Sequence, residues 1–135
     1  MSYSAKLLAA LLCAGGFIAA VPAAAQPGGI KREMMEKSDI SVPGREAIVA
    51  RIEVAPGVMG GRHTHAGEEI SYVLEGEGEL LIDGQPPRKL KAGDAFVVPA
   101  GTIHDAKNTG ATPMKLIGVF VVEKDKPLAT PAAAR

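Results

Sequence analysis

From Ala47 to Val54 apolar and polar positions alternate, with Ile48, Ala50, Ile52 and Val54 on one side and Arg51 and Glu53 on the other. A period of two marks a half-buried β-strand. Further short apolar runs follow at Glu69 to Leu74, Glu79 to Ile82, Ala95 to Val98 and Met114 to Val122. Pro56-Gly57 and Gly60-Gly61 are turn signals, and Asp83-Gly84, between Ile82 and Gln85, predicts a hairpin. Turns recur about every 8 to 12 residues, without a useful stretch of helical periodicity between them, which predicts an all-β antiparallel sandwich or barrel. By strand parity Ser71 and Val73 face the same way as Glu69. Phe96, Val98, Ile103, Ile117, Val119 and Val121 are expected to complete the barrel lining.

The strand-rich stretch, residues 46–123, is flanked by less regular segments. Residues 26–45 form an N-terminal lead, compatible with a helical turn over Lys31 to Lys37 or with an edge strand, and Val42-Pro43-Gly44 is a turn. Residues 124–135 are rich in Ala and Pro and have little to bury, so this tail is expected to dock loosely or fray. Residues 1–25 carry one charge, Lys6, followed by an uncharged run from Leu7 to Val21, then Pro22 and the small residues Ala23-Ala24-Ala25. That order is the signature of a secretory signal peptide cleaved near Ala25. The run is shorter than the roughly 20 apolar residues of a membrane span, so no membrane association is expected after cleavage and the protein is expected in the periplasm or the medium.

Charge and cysteine content narrow the partners. The 15 Lys plus Arg balance 15 Asp plus Glu, which leaves no basic field to hold a phosphate backbone, and nucleic acid is not expected as a partner. The chain has 135 residues, suited to one compact domain. Its single cysteine, Cys13, lies in the leader, so no disulfide can staple the exported chain. A domain this small buries a limited share of its surface, and metal binding or a homodimer becomes attractive on stability grounds.

The three histidines, His63, His65 and His104, all fall in the strand-rich part. Positions i and i+2 of a strand share a face, so His63 and His65 present two imidazoles together. Glu69 has the same parity and returns to that face if Ala66-Gly67 bends the chain without breaking register, whereas Glu68 points away. Arg62 and Thr64 have the opposite parity and are expected to be solvated or on the second face. His104 follows the tight turn Pro99-Ala100-Gly101-Thr102 and must come from a second strand.

Gly57-x5-His63-x-His65-x3-Glu69-x6-Gly76 resembles the first signature of the cupin superfamily, and Gly93-x5-Pro99-x-Gly101-x2-His104-x3-Asn108 resembles the second. The resemblance implies a double-sheet jelly-roll β-barrel with His63, His65, Glu69 and His104 holding one divalent transition metal ion inside it. Gly57, Gly76, Gly93 and Gly101 fall where turns need positive φ or close backbone approach. Three imidazoles and a carboxylate suit Mn, Fe, Ni, Cu or Zn without choosing among them. Four protein ligands leave an octahedral ion two open positions, as catalytic sites do. No Ser or Cys nucleophile stands beside a base and there is no phosphate loop, so any catalysis is expected to run through the metal.

Cupins span many activities, and the fold does not select one. The first expectation is an exported metal-dependent oxidoreductase, dioxygenase-like, acting on a small chelating substrate. The alternatives are a metal-dependent small-ligand-binding module without turnover and a barrel whose metal is only structural.

Overall fold

The computed structural model describes residues 28–133, so the leader expected over 1–25 lies outside the described residues. The described chain is all β-strand, in two antiparallel five-stranded sheets. The strands are β1 (Ile30–Asp39), β2 (Arg45–Val54), β3 (His63–Thr64), β4 (Gly67–Glu75), β5 (Glu77–Ile82), β6 (Arg88–Lys91), β7 (Ala95–Val98), β8 (His104–Asn108), β9 (Met114–Glu123) and β10 (Thr130–Pro131). One sheet runs β1-β2-β9-β4-β7 and the other β10-β3-β8-β5-β6. The all-β antiparallel class expected from the turn spacing, and the double-sheet barrel implied by the resemblance, are the observed fold.

Alternation explains β2 directly. Ile48, Ala50, Ile52 and Val54 are buried between the sheets, as their period of two requires. β9 is different, because it is apolar at almost every position from Met114 to Val122 and its sequence carries no phase. Pairing with β2 supplies the phase: Ile52 sits opposite Leu116, Ala50 opposite Gly118 and Ile48 opposite Phe120. Met114, Leu116, Phe120 and Val122 are therefore buried. Ile117, Val119 and Val121, expected to line the barrel, lie half-buried on the outer face, and Ile103 is also only half-buried. Phe96, Val98, Ser71 and Val73 face inward as expected.

The helical turn considered for Lys31 to Lys37 does not form. These residues belong to β1, an edge strand paired antiparallel with β2 and carrying a bulge between Met34 and Glu36. Met, Glu and Lys favour helix only by tenths of a kcal/mol per residue (roughly 0 to 0.7 across ordinary residues), and nine cross-strand partners outweigh that preference. The tail does not simply fray either. Thr130 and Pro131 pair with Thr64 and His63, and the Ala132 amide donates to the Arg62 carbonyl at 2.9 Å, which closes the second sheet beside the histidines.

Candidate metal centre

His63 lies in β3 and pairs in register with His104 of β8, so two imidazoles from distant parts of the sequence are set side by side by one ladder position. The turn before His104 is fixed by Gly101, whose φ of 71° is disfavoured for residues with a side chain. The Gly101 amide donates to the His65 carbonyl at 3.0 Å, tying the turn of the second motif to the first. The chain bends at Ala66 and enters β4 at Gly67. A Cβ at Gly67 would lie 2.0 Å from the Val121 carbonyl oxygen, so only glycine lets β4 seat against β9 at that point. Two residues further on, Glu69 points inward, opposite Val98 on one neighbour and Phe120 on the other. Glu68 is exposed, as parity predicted.

His63, His65, Glu69 and His104 converge, with one ligand atom from each lying within 4.8 Å of the others. His65, Glu69 and His104 are buried and His63 is half-buried. Glu69 Oε2 lies 3.1 Å from His65 Nε2 and 3.0 Å from His104 Nε2, while the Ser71 hydroxyl donates to Glu69 Oε1 at 2.6 Å. The His63 and His65 Nε2 atoms are 3.2 Å apart.

The opposite side of each ring decides what these short distances mean. His63 Nδ1 donates to the Gly61 carbonyl at 2.7 Å, His104 Nδ1 to the Thr102 carbonyl at 2.9 Å, and His65 Nδ1 to the Leu128 carbonyl. A carbonyl oxygen only accepts, so each Nδ1 carries the proton and each neutral ring turns a bare Nε2 lone pair toward the centre. With all three rings neutral, three lone pairs and a carboxylate would face one another without protons and repel. A cation among them resolves the conflict, and backbone acceptors behind ligating histidines are the usual way the tautomer is fixed. The donor set thus fits a divalent transition ion.

Electrostatics point the same way. Burial lowers the His63 pKa to about 4, reinforced by the neighbouring imidazoles, so this ring is neutral at physiological pH. Burial acts against Glu69 ionisation, yet the close contacts with His104 and His65, which favour the carboxylate whenever a ring takes up a second proton, and the Ser71 hydrogen bond outweigh it and hold the carboxyl far below its ordinary value. Burial also acts against a charged His104, but its hydrogen bond with Glu69 prevails and raises its pKa above the ordinary value. In the metal-free state a proton on His104 takes part of the role a metal ion would fill.

The four residues open onto a cavity of about 280 Å³ walled by Ile52, Leu80, Phe96, Leu116 and Phe120. The Phe120 ring packs against His65 with centroids 4.8 Å apart. Three contributors were not legible in the sequence: the C-terminal tail, Arg62, and Arg32 of β1, which also lines the cavity. The tail supplies Ala129 and Pro131 to the cavity wall and the Leu128 carbonyl to His65. Arg62, expected to be solvated or on the second face, also lines the cavity, where its guanidinium bonds Asp83 and the Ala133 carbonyl. Thr64 is half-buried and does not line it.

Comparison with known proteins agrees with this architecture. The cupin domain family model matches residues 50–122. A germin-like protein, subfamily 2 member 2, of Arabidopsis thaliana is 36% identical over 87 residues, covering 58% of this chain and 40% of that protein. The oxalate-binding protein of Thermotoga maritima is 37% identical over 76 residues, covering 56% of this chain and 62% of that protein. The matches thus span less than two thirds of either relative's length. A cupin-like protein of Thermotoga maritima, a solved structure, shares the fold with a TM-score of 0.68 at 23% identity, covering 81% of this chain and 80% of that one. With the family match extending over more than half of its length, the chain belongs to the cupin superfamily.

Proposed function

We propose that this protein is an exported metal-dependent cupin, a dioxygenase-like oxidoreductase acting on a small substrate that chelates its metal through oxygen. The observation that carries the reading is the convergence of three Nε2 lone pairs and the Glu69 carboxylate on one point, each imidazole locked by a backbone carbonyl. His63, His65, Glu69 and His104 would hold one divalent transition ion. When bound, such an ion supplies Lewis acidity and, for Mn, Fe or Cu, electron transfer. The chain's own part is to fix the ligand geometry, to keep Glu69 ionised, and to surround the open side with apolar walls that exclude water.

A second reading, capture of a small ligand without turnover, is favoured by one observation. Apart from the four clustered residues, the titratable side chains that line the cavity among the described residues are two arginines, which are poor general acids or bases. The name of the Thermotoga maritima relative, an oxalate-binding protein, is in keeping with it. Export belongs to the proposal through the sequence of residues 1–25. So does a homodimer, formed by a second copy through the outer face of β4 and β7, where Ile70, Tyr72, Leu74 and Val97 are exposed.

The test is elemental analysis of purified wild type, His63→Ala and His104→Ala, followed by an oxygen-consumption screen over small organic chelators. About one transition metal per chain in the wild type, reduced in both variants, with chelator-sensitive turnover, is the expected result. Metal with saturable binding and no turnover selects the second reading. A folded wild type that takes up no transition metal refutes both.

A further inference from the structure

We infer that Arg32 is the anion-recognising residue of the cavity, and that the ligand is a small organic acid with one end at the four-residue cluster and a carboxylate on the Arg32 guanidinium. The inference deepens the metal reading and rests on it.

Arg32 sits in β1 opposite Ile52, and Ile30 sits opposite Val54. Both partners are core residues, so the register turns Arg32 inward even though β1 is an edge strand. Its side chain lines the same cavity as His63, His65, Glu69 and His104, among apolar neighbours that include Ile30, Ile52 and Leu116. Its Nε atom is buried and has no hydrogen-bond partner among the described residues. The charges around it are committed elsewhere. Lys31 pairs with Glu53, Glu33 with Arg51 and Lys37 with Glu46, while Glu69 accepts from Ser71 and lies against His65 and His104. Arg62, the other guanidinium of the lining, is engaged by Asp83 and the Ala133 carbonyl.

Arg32 is half-buried and feels the Glu69 charge across the cavity, but it forms no ion pair with it among the described residues. A guanidinium desolvated against apolar walls without a direct partner is costly, because buried polar groups are normally paired. The planar fork of an arginine matches a carboxylate with two parallel hydrogen bonds, a geometry a lysine cannot reproduce. With a divalent ion in place, one glutamate and one arginine leave the cavity net positive, which favours a dianion. The volume, about 280 Å³, lies at the small end of ligand pockets and sets the size at a few carbon atoms.

The experiment loads wild type, Arg32→Met and Arg32→Lys with Mn and titrates each calorimetrically with malonate and with malonamide, its neutral counterpart of the same shape. Metal content and melting temperature are read on the same samples. The wild type is expected to prefer malonate to malonamide by about 10-fold or more, the scale of a hydrogen bond to a charged group. Arg32→Met should retain the metal and lose about 10-fold of its malonate affinity with little change for malonamide, which leaves only the part of the preference that the metal contributes, and Arg32→Lys should fall between. Equal binding of malonate and malonamide by wild type overturns the assignment, as does Arg32→Met binding malonate as wild type does. If Arg32→Met does not fold, Arg32→Lys decides by the same selective loss of malonate affinity. Wild type that takes up no metal yet prefers malonate through Arg32 would refute the metal reading and leave the anion site standing.

Discussion

Replacing Ser71 with alanine isolates the support behind the metal centre. Ser71 is 1% exposed, and its hydroxyl donates to Glu69 Oε1 at 2.6 Å. Glu69 Oε2 faces His65 Nε2 and His104 Nε2, both of which turn to the ion once metal binds. In the loaded site the Ser71 hydroxyl is therefore the hydrogen bond that remains to hold the carboxylate in orientation. Ser71→Ala removes one oxygen and no carbon, so it opens little space in the core. The hydrogen bond it deletes ends on a charged group, the kind that contributes about 1.5 to 3 kcal/mol. Part of that loss falls equally on the metal-free protein and lowers its stability. The remainder appears in metal affinity, where loss of a residue supporting a ligand typically costs about 10- to 100-fold. Competition against a chromogenic chelator measures the affinity, melting curves with and without metal measure the stability, and Glu68→Gln on the exposed face serves as control. A Ser71→Ala protein that holds metal within about threefold of wild type would refute the argument.

The remaining expectations concern protons, the tail and association. Because His104 has a raised pKa, its metal-free ring keeps a proton up to or beyond its ordinary value of 6.5, so metal affinity should fall as pH drops through that region, whereas His63, lowered to about 4, competes only in stronger acid. The sign reverses without metal: the raised pKa contributes stability that is fully present below 6.5 and lost as pH rises through the folded value, so metal-free and metal-loaded melting temperatures should move in opposite directions as pH rises above 6.5, and parallel slopes would count against a protonated His104. Truncation after Pro127 removes the Leu128 carbonyl that fixes the His65 tautomer, together with β10, and should weaken metal binding by about 10-fold or more; a truncated chain with unchanged affinity in the chelator assay would remove the tail from the site. Light scattering at micromolar concentration should find a dimer, converted to monomer by Tyr72→Glu with Val97→Glu, and a monomeric wild type would dismiss the outer-sheet pairing.

The sequence by itself determined the β class, the inward face of β2, and the four residues of the cluster. The first two share a physical basis, since a period of two and a turn signal are local properties that survive without knowledge of the neighbours, whereas His104 joins His63, His65 and Glu69 through the resemblance of two separate motifs to the cupin signatures. Where the local pattern is degenerate, tertiary structure decided. β9 is apolar on both faces, so only its register against β2 chose Leu116 and Phe120 over Ile117 and Val119 for the interior. β1 is charged and of weak propensity, and it became a strand because an edge of β2 was open to it. That same register turned Arg32 into the cavity, although nothing in residues 31–37 distinguishes it from its charged neighbours. The tail's role at His65 rests on a backbone carbonyl, a group every residue possesses and no sequence can flag. Side-chain chemistry was thus readable along the chain, whereas the orientation, tautomer and enclosure of that chemistry depend on contacts between residues far apart in it, which only the folded barrel creates.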